Sequence, residues 1–77
     1  MLITPAQCRA ARGLVDMDQA ALADRAMVTR NVIIDFEKGR RVPMRNNLAA
    51  IQRVLEAAGV EFTNGDAPGV RLRTKKR

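Results

Sequence analysis

The chain of 77 residues carries a formal net charge of +6, and aromatic residues make up only 3% of it. Since a chain of this length can bury one hydrophobic core, we expect a single domain whose core consists of aliphatic side chains. A single cysteine, Cys8, and the lack of histidine exclude an intramolecular disulfide and the usual zinc clusters. We therefore expect no metal and no cofactor.

No apolar run approaches the roughly 20 residues that a transmembrane helix needs, and the first residues lack the pattern of a signal peptide. We therefore expect a cytoplasmic protein with no membrane contact. Domains this small are often marginally stable alone, which makes association of two identical copies the simplest expectation.

The basic side chains fall into two zones. Residues 71–77 contain five Lys and Arg and no acid, while residues 30–45 contain five Lys and Arg beside two acids, Asp35 and Glu37. Phosphate-binding surfaces have this composition. For the terminal zone, whose last residues 74–77 form a basic tail, two interpretations stay open: contact with phosphates, or a solvated end of the chain.

The first predicted helix begins at Thr4 and Pro5, where threonine caps the helix and the missing N–H of proline leaves no bond unmade. Helical spacing places Ala6, Ala10 and Leu14 on one side of this helix. A glycine and a short acidic segment then end it.

The second predicted helix begins at Gln19, with Asp16 or Asp18 as its cap, and its alanines let another helix approach closely. About three residues separate it from a third helix, RNVIIDFEK, which Thr29 caps and Gly39 ends. Such a short connection forces the two helix axes into a sharp corner.

The segment after the third helix contains Pro43 and is predicted as an exposed loop, RRVPMR, before Asn46 or Asn47 caps a fourth helix. The fourth helix, NLAAIQRVLEAAG, carries an apolar stripe and stops at Gly59. Beyond it, VEF and VRLR alternate with period two around turn-forming residues, which predicts a short terminal β-hairpin.

The third helix has two distinct faces. Val32, Ile33 and Phe36 recur at helical spacing and are predicted to be buried. The side chains that lie away from this face are Thr29, Arg30, Asn31, Ile34 and Asp35. A helix that follows a tight corner and presents such side chains at its amino end can enter the major groove of duplex DNA and reach base edges.

The stretch 19–39, QAALADRAMVTRNVIIDFEKG, resembles the XRE family of phage repressor and Cro proteins, which bind DNA through a helix-turn-helix. The shared features are a Gln that opens the second helix, Leu-Ala in its middle, a Val-Thr turn, an aliphatic residue in the third helix and a Glu-x-Gly ending. They occur here as Gln19, Leu22-Ala23, Val28-Thr29, Ile33 and Glu37-Lys38-Gly39. The resemblance extends from the first predicted helix through the fourth.

The resemblance implies a mainly α fold, a lambda-repressor-like helix-turn-helix domain of four to five helices over residues 1–60. Residues 61–73 would extend the same domain as a β-hairpin, followed by the basic tail. Met27 and Asp16 stand where the family favours glycine, which enters the left-handed backbone region more easily than other residues. Aspartate tolerates that region better than methionine does.

The resemblance also implies roles in binding double-stranded DNA. Arg30 would read guanine and Asn31 would read adenine, each through two hydrogen bonds. Gln19 would contact a phosphate or a base, and Thr29 would contact a phosphate at the positive end of the helix dipole. The cations that would hold the sugar-phosphate backbone are Arg40, Arg41 and Arg45.

Ile34 and Asp35 complete the surface that would face DNA. Asp35 would accept a hydrogen bond from a cytosine amine, or else it would form an ion pair with Lys38 or Arg41. The family also pairs an arginine of the first helix with the glutamate that ends the third helix, as a structural ion pair. The residues at those positions are Arg12 and Glu37.

We therefore expect a small sequence-specific regulator of transcription, a homodimeric repressor that acts on DNA in the nucleoid. The alternative is a protein-interaction module of the same fold, an antitoxin or antiactivator, because the unpaired edge of the hairpin can add to a strand of a partner protein. An enzyme is not expected, since the chain lacks histidine, a glycine-rich phosphate loop and paired carboxylates on a shared face.

Overall fold

The computed structural model describes residues 2–63 and 66–73. Within them the chain is mainly helical and ends in an antiparallel hairpin, which confirms the predicted fold class. The elements are α1 (Pro5–Leu14), α2 (Gln19–Ala26), α3 (Arg30–Glu37), α4 (Arg45–Ala57), β1 (Val60–Thr63) and β2 (Gly69–Leu72). The predicted basic tail and the Asn64-Gly65 step of the predicted turn lie outside the described residues. No helix in the described part of the chain combines the length and the apolarity that a membrane span requires.

Three of the helices begin at a capping side chain. Thr4 Oγ1 accepts a hydrogen bond from the Gln7 amide at 3.1 Å, and the Gln7 side chain accepts one from the Thr4 amide at 2.9 Å. Asp18, rather than Asp16, caps α2, and Thr29 caps α3 as predicted. Each cap satisfies an amide N–H that has no partner within its own helix.

The fourth helix begins earlier than predicted, and the predicted asparagine cap is wrong. Arg45 is the first helical residue instead of the end of the loop, and Asn46 and Asn47 lie in the first turn. Met44 occupies the cap position without a side-chain hydrogen bond. Its carbonyl accepts from the Leu48 amide at 2.9 Å, which closes the first turn. Because proline restricts itself and the residue before it, the chain is free to enter a helix soon after the proline of the loop.

One hydrophobic core joins the helices and the first strand. Its largest fully buried side chains are Leu22, Ile33, Ile51, Leu55, Val60 and Cys8. In α1 the core-facing residues are Gln7, Cys8 and Ala11, whereas the side that carries Ala6, Ala10 and Leu14 is exposed. A polar residue therefore belongs to the buried face of α1, which apolar spacing alone did not indicate.

The hairpin is part of the core and is fastened to α1. Its strands pair from Val60 with Leu72 to Thr63 with Gly69, and Val60 is fully buried. The buried Gln7 side chain donates from Nε2 to the carbonyls of Thr63 and Gly69, both at 3.0 Å. The same side chain thus caps α1 and holds the end of the hairpin next to its turn.

Candidate nucleic-acid interface

The corner between α2 and α3 consists of Met27, Val28 and Thr29, the short connection that the sequence predicted. Met27 has a left-handed backbone, with φ 61° and ψ 43°, and the Val28 amide donates to the Ala23 carbonyl at 3.0 Å. Asp16 is also left-handed, with φ 54°. Both positions where the family favours glycine therefore need the backbone geometry that glycine would supply most easily.

The inner face of α3 packs into the core, whereas the side chains at its amino end are exposed. Ile33 is fully buried, Phe36 and Glu37 are each 2% exposed, and Val32 is half-buried. The outward residues are Thr29, Arg30 and Asn31, which are exposed, and Ile34 and Asp35, which are half-buried. Packing therefore holds the helix axis still while the side chains of its first turn project from the surface.

The buried Glu37 carboxylate joins three helices. Arg12 of α1 donates from Nε to Oε2 and from Nη2 to Oε1, both at 2.7 Å. Gln19 of α2 donates from Nε2 to Oε1 at 3.1 Å, and the Cys8 thiol of α1 donates to Oε2 at 3.1 Å. The family resemblance implied the arginine–glutamate pair but not the other two donors. Their place in the cluster depends on how the helices pack.

The cluster around Glu37 keeps its charges at neutral pH. Burial alone would raise the pKa of Glu37, but the hydrogen bonds from Arg12, Cys8 and Gln19 hold that pKa below its ordinary value. The hydrogen bond to Glu37 raises the pKa of Arg12. Burial and the contact with Glu37 raise the pKa of the Cys8 thiol far above its ordinary value, so the sulfur stays protonated and donates. Across residues 2–63 and 66–73, no three Cys, Asp or Glu side chains converge into a group that could hold a metal ion.

Arg30 lies beside the amino end of α2. Together with Asp18, Gln19 and Ala20 it lines a shallow recess of about 180 Å³. Because Gln19 Nε2 already donates to Glu37, the glutamine side chain is oriented from inside the protein. The fold thus brings together two of the predicted DNA contacts, Gln19 and Arg30.

A groove of about 460 Å³ separates the outer face of α3 from the loop before α4. Its walls are Thr29, Asn31, Val32 and Asp35 from α3, and Arg41, Val42, Pro43, Met44 and Asn47 from the loop and α4. Asn31 therefore borders the groove, whereas Arg30 borders the recess. The sequence predicted an exposed loop here but missed the apolar residues and Asn47 as parts of this wall. The sequence feature that could have indicated this wall is a pair of apolar residues, Val42 and Met44, on either side of a proline in a basic segment.

The connection from α3 to α4, residues 38–44 and here called the basic loop, forms one wall of this groove and carries positive charge. The predicted backbone-binding cations are all exposed: Arg40, Arg41 and Arg45. Asp35 forms its ion pair with Arg40, at 3.6 Å between Oδ1 and Nη1, and not with either of the two partners that the sequence suggested. The reason is the left-handed Gly39, with φ 76°, after which the Arg40 amide turns back to donate to the Asp35 carbonyl at 2.9 Å.

One comparison with known proteins agrees with this geometry. A family model described as Helix-turn-helix matches residues 9–62, more than half of the chain. The match covers the second half of α1, the two helices of the corner, the basic loop and α4. No curated protein matches the chain. Since the matched segment holds the left-handed corner, the buried glutamate and the exposed amino end of α3, the chain belongs to the XRE-type helix-turn-helix family of DNA-binding transcriptional regulators.

Proposed function

We propose that this protein is a sequence-specific repressor that inserts α3 into the major groove of double-stranded DNA. The observation that carries the proposal is the exposure of Arg30 and Asn31 on a helix whose opposite face is buried. Base reading requires side chains held in fixed register by a rigid helix, because a displaced donor loses its paired hydrogen bonds.

Each outward residue has a role that its chemistry supports. The Arg30 guanidinium matches the O6 and N7 acceptors of guanine, and the Asn31 amide matches the N6 and N7 edge of adenine. Thr29 and Gln19, at the amino ends of α3 and α2, are suited to phosphates. The DNA-facing residues on the second turn of α3 are Ile34 and Asp35.

Asp35 can turn towards a cytosine amine by giving up its ion pair with Arg40, which engages Oδ1. That pair is long, at 3.6 Å, and the arginine side chain is 63% exposed. Pairs of this kind contribute little to stability, so DNA can compete for the aspartate at small cost. The released Arg40 would join Arg41 and Arg45 on the phosphates, where they position the helix without reading sequence.

A homodimer is the assembly that we propose for the bound state. The described domain measures 34 × 29 × 19 Å. Two copies lying side by side can therefore present their α3 helices to major grooves about 34 Å apart, one turn of DNA. Occupation of such a site at a promoter blocks the polymerase, which is the physical basis for proposing repression, and the place of action would be the nucleoid.

Selection of binding sites from a random DNA pool tests this proposal. We expect enrichment of a near-palindromic sequence with half-sites about one helical turn apart. Recovery of unselected sequences, with equal affinity for all of them, would contradict sequence-specific binding. Selection of one half-site without a symmetric second one would contradict the dimer but not sequence-specific binding.

Two substitutions then assign the base readers. Arg30→Ala and Asn31→Ala should each weaken binding to the selected site by about 5-fold to 150-fold per half-site, because each bidentate contact contributes about 1–3 kcal/mol. The matched control is Arg53→Ala, which removes an exposed arginine from the second half of α4. Anisotropy titrations with the selected duplex measure the dissociation constants of all three variants. An equal loss of affinity in the control would remove the support for base reading.

The second candidate function is a protein-interaction module, an antitoxin or antiactivator. It is motivated by the hairpin, whose two strands pair only with each other among the described residues and leave Leu72 50% exposed. A partner strand can add to such an edge. Under this candidate, a stoichiometric protein complex survives Arg30→Ala with Asn31→Ala and is lost in Leu72→Glu. Under the DNA-binding proposal, binding to the selected duplex is lost in Arg30→Ala with Asn31→Ala and survives Leu72→Glu.

A further inference from the structure

Two apolar side chains of the basic loop are unusually exposed. Val42 is 76% exposed and Met44 is 69% exposed, and they flank the half-buried Pro43. Both line the groove whose other wall includes Asn31 and Asp35. The Val42–Met44 pair therefore lies next to the outward face of α3, at one border of the proposed DNA-binding surface.

The surroundings of this pair indicate what covers it. Arg40, Arg41 and Arg45 are exposed on the same short segment, so any occupant must tolerate three guanidinium groups. An apolar protein surface would have to desolvate these charges, whereas DNA neutralises them with its phosphates. Duplex DNA offers one apolar group on its base edges in the major groove, the C5 methyl of thymine.

We propose that Val42 and Met44 contact a thymine methyl group and thereby select an A·T pair beyond those read by hydrogen bonds from α3. The inference rests on the proposed DNA binding and deepens it, since it adds an apolar specificity contact from the loop to the polar contacts from the helix. Asn31, across the same groove, is the residue suited to adenine. Adjacent A·T pairs can thus be recognised from the two walls of the groove.

Replacement of thymine by uracil in the selected duplex isolates this contact, because uracil lacks only the methyl group. We expect one thymine in each half-site at which the change to uracil weakens binding about threefold to fivefold, the effect of removing one buried methyl group. The ratio of dissociation constants for the uracil and thymine duplexes is the readout, measured by anisotropy. Met44→Ala, and more completely Met44→Ala with Val42→Ala, should bring this ratio close to one.

The control variant is Leu14→Ala, which shortens an exposed apolar side chain on α1 that does not line the groove and should keep the full ratio. Both loop residues are exposed, so circular dichroism is expected to show unchanged folding for every variant. The inference is overturned if no thymine position responds to uracil, or if the double variant weakens both duplexes equally, as packing on deoxyribose would. If the wild-type protein selects no sequence at all, the proposed function itself fails.

Discussion

Met27 combines a left-handed backbone with a side chain that is 89% exposed. A side chain so exposed gains little from packing, while its Cβ crowds the backbone in this conformation. Met27→Gly should therefore raise the free energy of unfolding by about 1 kcal/mol, because glycine adopts this conformation without a steric penalty. Urea denaturation followed by circular dichroism measures the change.

The control for this prediction is the same substitution at Val42, another exposed apolar residue. The backbone of Val42 lies outside the left-handed region, so Val42→Gly relieves no strain and should not stabilise the protein. Equal effects of the two substitutions on unfolding would show that the left-handed backbone of Met27 is not the source of the gain.

The orientation of α1, α2 and α3 relative to one another depends on the Glu37 carboxylate. Glu37→Gln removes the charge that Arg12 binds and should lower the free energy of unfolding by about 3 kcal/mol, as expected when one partner of a buried pair is lost. The matched control is Glu61→Gln, whose ion pair with Arg71 is equally short, at 2.7 Å, but exposed. Since exposed pairs contribute little, that change should be about 0.5 kcal/mol or less.

The Glu37 cluster also predicts the direction of a pH dependence. Because folding lowers the pKa of Glu37 from its ordinary value of 4.5, the carboxylate stabilises the folded state fully above that value. The stabilisation is lost as the pH falls from 4.5 through the lower folded pKa. The difference in unfolding free energy between the wild type and Glu37→Gln should therefore narrow below pH 4.5, in denaturation curves taken at a series of pH values. A constant difference would contradict the lowered pKa.

The attachment of the hairpin to α1 depends on Gln7. Gln7→Ala removes the two hydrogen bonds to the carbonyls of Thr63 and Gly69 and should lower the free energy of unfolding by about 2–3 kcal/mol. Gln52→Ala is the control, since Gln52 donates to the Glu56 side chain one turn along the same helix and should matter much less. Proteolysis within the hairpin should become faster in Gln7→Ala than in the control, and equal rates would contradict this role of Gln7.

The number of phosphates that the whole protein neutralises governs how DNA binding responds to salt. Each phosphate that an arginine neutralises releases counterions, which steepens the fall of log affinity with log salt by about 0.9. Because the proposed dimer carries each arginine twice, Arg41→Ala and Arg45→Ala should each reduce that slope by about two on a duplex with both half-sites, whereas Arg53→Ala should leave it unchanged. Titrations between low and moderate salt measure the slope. A loss of slope in Arg53→Ala equal to that in Arg41→Ala would show a general effect of net charge.

Local signals in the chain predicted most of the elements and the corner. Helix caps depend on residues only a few positions apart in the chain. The roles of Thr4 and Thr29 as helix caps and of Gly39 at the end of α3 were therefore predicted correctly. The start of α4 was missed because two adjacent asparagines resembled a cap, although nothing in the chain required one. The outward face of α3 followed from the spacing of Ile33 and Phe36.

Contacts between residues far apart in the chain were decided only by tertiary packing. No local pattern shows that Gln7 reaches residues 63 and 69, that Gln19 and Cys8 join Glu37, or that Asp35 turns to Arg40. The physical reason is that helix periodicity depends on neighbours one turn away, whereas a buried polar side chain finds its partner only after whole elements have packed. The amino-acid sequence was enough to predict four helices, the corner between the second and third of them, and the family. The cluster around Glu37 and the groove beside α3 were seen only in the packed structure.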